Sequence, residues 1–137
     1  MAAVSTSRQT LDGLKVLVVE DNFLVAEHLR SILAERGCQV VGPVPRRSDG
    51  LTLVCRGEAL DGAVLDVQLG SETSFDIASE LLGQSIPFLF LTGYGDRAMI
   101  PAQFRAAPLL AKPIDEGMLV SAMARLFRSK ERPPRGP

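Results

Sequence analysis

Four apolar runs in this chain end in residues that do chemistry. Ala63-Val64-Leu65 ends in Asp66, and Val16-Leu17-Val18-Val19 ends in the pair Glu20-Asp21. Phe88-Leu89-Phe90-Leu91 ends in Thr92-Gly93, and Leu109-Leu110-Ala111 ends in Lys112-Pro113. If the four runs lie side by side and parallel, three acids, a hydroxyl and an ammonium meet at one edge of a sheet. Such a set can hold a divalent cation through oxygen, and its carboxylate can accept a phosphoryl group.

Asp21 and Asp66, with a backbone carbonyl, suit Mg²⁺, which wants octahedral oxygen ligands at about 2.0–2.1 Å and keeps several waters. Glu20 would act through one of those waters. Without a cation, two carboxylates about 4 Å apart repel by about 4 kcal/mol at an effective dielectric of 20, so one is driven to hold a proton. Reactivity is therefore expected to depend on the metal. Asp66 is then the candidate nucleophile toward phosphorus. The incoming group adds roughly -1.5 to -2 charge, which a cation and Lys112 would neutralise while Thr92 donates to an oxygen. The plain alternative is that the acids cap helices at strand-to-helix turns. Taken singly, Thr-Gly and Lys-Pro are common turn dipeptides. The ordered set is far harder to obtain by chance.

The elements that must position these residues follow from two alternating periodicities. Leu14 to Val19 is a short buried strand. Asn22 can cap a helix with Val25, Leu29, Ile32 and Leu33 on one stripe, stopped at Gly37. Gln39-Val40-Val41 is a second strand, ended by Gly42-Pro43. Ser48 can cap a helix carrying Leu51, Val54 and Cys55. Gly62 to Asp66 is the third strand, and Ser74 can cap a helix with Phe75, Ala78, Leu81 and Leu82, stopped by Gly83. Pro87 to Leu91 is the fourth strand, and Asp96 to Phe104 reads as a short helix with Pro101 in its path. Leu109 to Ala111 is the fifth strand. Asp115 can cap a last helix through Leu119, Met123 and Phe127.

Strands alternating with helices imply an α/β fold: a doubly wound, five-stranded parallel sheet with helices on both faces, in the flavodoxin-like order 2-1-3-4-5. In such sheets ligands bind outside the carboxyl ends of the strands. All the polar residues above sit there.

At 137 residues the chain has the size of one domain. We expect a flexible segment over 1–12, a folded domain over 13–128 and a disordered basic tail over 129–137. The last ten residues carry a charge of +3 against -4 for the rest, so the body lacks the basic face that nucleic acid requires. The longest uncharged stretch, Leu81 to Gly95, is 15 residues and contains Pro87, short of the about 20 apolar residues of a membrane span. Cys38 and Cys55 form no metal-type cluster and read as reduced, buried cysteines of a cytoplasmic protein. His28 reads as a partly exposed helix residue, and Arg46-Arg47 as a solvated loop.

From Leu14 to Phe127 the chain resembles the receiver domain of a bacterial two-component response regulator. The resemblance rests on Glu20-Asp21, Val64-Leu65-Asp66, Thr92-Gly93 and Lys112-Pro113, in that order and with family-like separations. It implies that Asp66 is the phosphoacceptor and that Asp21, Asp66 and the Gln68 carbonyl bind Mg²⁺, with Mn²⁺ as a substitute and Glu20 as the outer acid. Thr92 is then the switch hydroxyl and Lys112 its partner, with a cis bond before Pro113. Gln68, Gly93, Tyr94 and Leu109 occupy positions that tune phosphate lifetime and readout.

Phe90-Leu91-Thr92-Gly93-Tyr94 is similar to the Phe-Ala-Thr-Gly-Gly/Tyr subgroup of receivers, often stand-alone and paired with atypical histidine kinases. Gly42-Pro43 and the loop from Leu69 to Thr73 also resemble it. Ordinary receivers have Tyr or Phe where this chain has Leu109, and often Met-Pro where it has Leu69-Gly70. The usual aromatic switch is thus replaced, and the segment from Gly93 to Phe104 becomes the candidate mobile element.

The implied function is a single-domain phosphoacceptor module, not an enzyme in its own right. It takes phosphate from a sensor histidine kinase or histidine phosphotransfer protein and alters binding to a downstream protein. It needs no nucleic acid or membrane and is a monomer or weak homodimer. The alternatives are a phosphorylation-independent adaptor, a phosphate sink or relay intermediate, and, most remotely, an aspartyl-nucleophile phosphatase.

Overall fold

The computed structural model describes residues 11–93 and 97–130. Five parallel strands form one sheet: β1 (Lys15–Val19), β2 (Gln39–Val44), β3 (Gly62–Asp66), β4 (Phe88–Thr92) and β5 (Leu109–Ala111). Counting only these strands, the spatial order is 2-1-3-4-5. The α-helices among the described residues are α1 (Phe23–Glu35), α2 (Arg47–Cys55), α3 (Phe75–Gly83) and α4 (Glu116–Lys130).

Side chains alternate across a strand, so each central strand feeds two cores. Leu17, Val19, Ala63, Leu65, Phe88 and Phe90 face α2 and α3, meeting Val54, Ile77 and Leu81. Val16, Val18, Val64, Leu89 and Leu91 face α1 and α4, meeting Leu29, Leu33, Leu119 and Phe127. β3 and β4 are buried on both faces, which explains why they read as unbroken apolar runs. Gly62 is required by this packing, because a Cβ there would lie 2.7 Å from the Phe127 ring.

Local chemistry sets the element ends. The Asn22 side chain accepts from the Val25 amide at 3.0 Å and starts α1. Gly37, with φ +88°, lets the chain turn back after it. The Asp115 side chain accepts from the Met118 amide at 2.9 Å and starts α4.

Several sequence expectations are corrected. β2 runs on through Gly42-Pro43 to Val44, with a register shift against β1; Pro43 follows a cis bond, and the strand is at the sheet edge, where a missing N–H is tolerated. α2 begins at Arg47, after an extended Arg46, so Ser48 lies inside it. Ser74 precedes α3 but makes no capping bond, and its buried hydroxyl has no hydrogen-bond partner among the described residues. In place of the helix expected to end at Phe104 there are two 3-10 turns, Arg97–Met99 and Ala102–Phe104. Pro101 lies between them in extended backbone, because it offers no N–H and biases Ile100 away from helical angles.

Leu11 is completely buried beside Leu33 and Cys38, and its carbonyl accepts from the Cys38 thiol, so the packed body begins before residue 13. α4 continues to Lys130, past the expected limit at 128. Cys38 is buried and Cys55 exposed, so only one of the two thiols is of the buried kind. Residues 1–10 and 131–137, on which most of the two expected terminal segments fall, lie outside the described residues. No helix among the described residues is long and apolar enough to cross a membrane.

Candidate functional site

Parallel register brings the four strand ends together. Val19 lies opposite Leu65, Asp66 opposite Leu91, and Thr92 opposite Ala111, so each polar residue leaves its strand at nearly the same height. Glu20 and Asp66 are buried, at 1% and 3% exposure, whereas Asp21 is exposed. One carboxylate oxygen from each of the three lies within 4.8 Å of the others.

Lys112 binds the buried pair together. Its Nζ donates to Asp66 Oδ2 at 2.8 Å and lies 3.1 Å from Glu20 Oε1. The Asn22 amide donates to Glu20 Oε2 at 2.9 Å. These contacts do not fully offset desolvation: burial, and then Asp66, push the Glu20 carboxyl up to about 7. Burial draws Lys112 down, but the Asp66 and Glu20 carboxylates outweigh it and hold the ammonium above its ordinary range.

The remaining candidates divide between near and far. Asp21 Oδ2 accepts from the Gly70 amide at 2.9 Å. The Thr92 hydroxyl donates to the Gly93 carbonyl at 2.9 Å. Gln68, Gly70 and Gly93 join Asp21, Asp66 and Lys112 around an open depression of about 480 Å³. The Lys112–Pro113 bond is cis. Leu109 does not line this depression; it is half-buried and packs toward the Phe90 side of the sheet. Tyr94 lies outside the described residues.

Sequence reading missed what shapes the wall of the site. Gln68–Leu69 and Glu72–Thr73 pair antiparallel as a small ribbon, turned by Gly70 at φ +64°. Arg47 is not a solvated loop residue; it pairs with Asp76 at 2.6 Å and Glu72 at 3.4 Å, tying the ribbon to α2 and α3. A Gly-Ser pair between short segments is a hairpin signal and was available in the sequence.

Three clustered carboxylates, one of them reluctant to ionise, make a donor set suited to a small hard cation. A cation held there would add positive charge beside the Glu20 carboxyl, which burial and then Asp66 raise, and would favour its ionised form.

Comparison with known proteins agrees with this geometry. The family profile described as response regulator receiver domain matches residues 16–124. Over 121 residues the chain is 30% identical to the transcriptional regulatory protein BtsR of Escherichia coli strain K12, covering 87% of this chain and 50% of that protein. It is 28% identical to the sensory transduction protein LytT of Bacillus anthracis over 121 residues, covering 86% and 49%. The chain thus spans about half the length of these curated relatives. Among solved structures, SdrG from Sphingomonas melonis Fr1 is 35% identical with a TM-score of 0.73, covering 84% of this chain and 97% of that one. The signal receiver domain of a modulated diguanylate cyclase from Desulfovibrio desulfuricans G20 is 27% identical with a TM-score of 0.75, covering 88% and 98%.

Proposed function

This chain belongs to the response regulator receiver domain family, whose general function is phosphorylation-based signalling, and from that premise we propose that Asp66 is its phosphoacceptor. An Asp66 carboxylate oxygen attacks the phosphorus of a phosphohistidine on a sensor kinase or phosphotransfer protein. The P–O bond of an acyl phosphate forms, the P–N bond breaks, and its electron pair returns to the donor imidazole. Lys112, already held against Asp66, neutralises part of the added charge. Thr92 exchanges the Gly93 carbonyl for a phosphoryl oxygen as its acceptor, which makes the end of β4 sensitive to the phosphate.

Asp21, Asp66 and the Gln68 carbonyl would hold Mg²⁺ or Mn²⁺, with Glu20 reached through water. When bound, that cation supplies charge neutralisation at the phosphoryl oxygens. The observation that carries the reading is Lys112 lying between buried Asp66 and Glu20, with Asp21 within reach of both. Phosphatases that use an aspartyl nucleophile usually carry a second acid two residues after it, and here that position is Gln68, which cannot protonate a leaving group.

Gln68, Gly93, Tyr94 and Leu109 are assigned to tuning, and the Phe-Ala-Thr-Gly-Gly/Tyr subgroup supplies the model for the readout. The module works in the cytoplasm, as a monomer or weak homodimer, and passes its state to a downstream protein. Incubation with acetyl phosphate and Mg²⁺ tests the chemistry. One phosphoryl group per chain, not formed when Mg²⁺ is chelated beforehand, supports it; absence of labelling favours a phosphorylation-independent adaptor, and continuous phosphate release with no labelled chain favours a phosphatase.

A further inference from the structure

A second cavity lies at the opposite edge of the sheet from the acids, where β4 begins. It measures about 430 Å³, and no residue of β5 lines it. Its apolar wall is Leu82 from the end of α3, Ile86 and Phe88 around the start of β4, Phe104 from the second 3-10 turn and Leu126 from α4. Phe88 and Phe104 meet edge to face, with ring centroids 6.0 Å apart. Leu82 is 50% exposed, so part of this apolar surface is open to water. Ser85 and Gln103 add two neutral polar side chains, and among the described residues no charged one joins them.

The last helix ends beside this cavity. α4 starts at the Asp115 cap and runs to Phe127, whose ring packs against Gly62, the first residue of β3. Leu126 precedes Lys130 by four residues, about 6 Å along the helix axis. The sequence continues Glu131-Arg132-Pro133-Pro134-Arg135-Gly136-Pro137, seven residues that can span about 23 Å. That length is enough to turn back over the cavity.

We propose that Pro133 and Pro134 of this same chain occupy the cavity, laying residues 131–137 against α3 and the second 3-10 turn. A wall with two neutral polar side chains penalises the burial of peptide N–H groups, and proline has none to bury. A proline pair is also extended before it binds, loses little entropy, and packs well on aromatic walls such as Phe88 and Phe104. Arg132 and Arg135 flank the pair and stay at the rim. The last turn of α3 holds no basic residue, so the negative end of its dipole lacks a cation from its own helix and attracts them. The contact needs no phosphate and stands apart from the role of Asp66. It braces Phe104, and with it the segment that joins β4 to β5.

The test is made by NMR on the full chain. Nuclear Overhauser contacts are expected from the Pro133 or Pro134 ring to the Phe88 or Phe104 ring. Amide exchange is then read at Ser85, Ile86, Phe104 and Ala107, whose N–H groups donate to backbone carbonyls around the cavity. In the full-length variant Pro133→Gly with Pro134→Gly, exchange at these amides quickens by at least about threefold while Val18 in β1 is unchanged. Arg132→Glu with Arg135→Glu shifts them in the same direction. Ala107→Trp fills the cavity, so in that background the glycine substitutions have no further effect, and thermal melts establish that each variant is folded. Absence of the ring contacts, or equal exchange in the glycine variant, overturns the proposal and leaves the tail free. Protection that grows with protein concentration also overturns it and assigns the cavity to a second copy.

Discussion

Lys112 Nζ lies 2.8 Å from Asp66 Oδ2, and the two residues come from strands that are not neighbours in the sheet. β4 separates them, and it ends in Thr92. The ammonium therefore crosses above the Thr92 strand end to reach the carboxylate. A phosphoryl group on Asp66, as proposed above, would therefore bear on the ends of β3 and β5 together.

Glu20 predicts a pH dependence. Its carboxyl is raised from 4.5 to about 7, so the folded chain holds a proton there that the unfolded chain gives up sooner. The contribution of Glu20 to stability of the metal-free protein should be fully present below pH 4.5 and be lost as pH rises through about 7. A cation competes with that proton, so apparent Mg²⁺ affinity should rise about tenfold between pH 6 and pH 8. Calorimetric titration at the two pH values measures it, and Glu20→Gln should flatten the profile.

Arg47 predicts a local effect. Arg47→Ala removes the contacts to Asp76 and Glu72 and frees the ribbon that carries Gly70. The loss of global stability should be small, about 0.2–1 kcal/mol, because the pairs are solvent-exposed. Amide exchange over residues 68–73 should quicken by more than exchange in β3. Equal change in both would show that the pairs do not hold the ribbon.

Gly62 predicts a core effect. Gly62→Ala drives a methyl group into the Phe127 ring, 2.7 Å away, and should cost about 1–3 kcal/mol. Chemical denaturation measures it. Phe127→Leu should recover part of the loss in the double variant, since the clash is with the ring.

The 3-10 segment predicts where the signal is read. Binding of beryllofluoride with Mg²⁺ should alter amide protection over residues 97–104 more than in α3. Unchanged protection there would remove this segment as the moving part.

Legibility in the sequence followed the physics of each element. The site residues were visible because buried parallel strands are apolar along their whole length, so the first polar residue marks the strand end, as at Asp66 and Thr92. Their height was also readable, since parallel register follows from short, similar strands. The ribbon over residues 68–73 was not, because two-residue strands carry no period. Ile100 and Phe104, four apart and both buried, imitate a helical stripe, and only Pro101 warned otherwise. Arg47 was misread because an ion pair with residues 25 and 29 positions away leaves no local pattern. Cys55 lay on a helix with so little amphipathic contrast that its face could not be assigned.

The central claim concerns which atom takes the phosphate. Acetyl phosphate and Mg²⁺, followed by borohydride reduction and peptide mass mapping, converts an aspartyl phosphate to homoserine at the modified position. The account predicts homoserine at position 66 alone and none in the Asp66→Asn chain. Homoserine at position 21, reduction of Glu20, or a borohydride-resistant phosphate on His28 or a hydroxyl residue would contradict it.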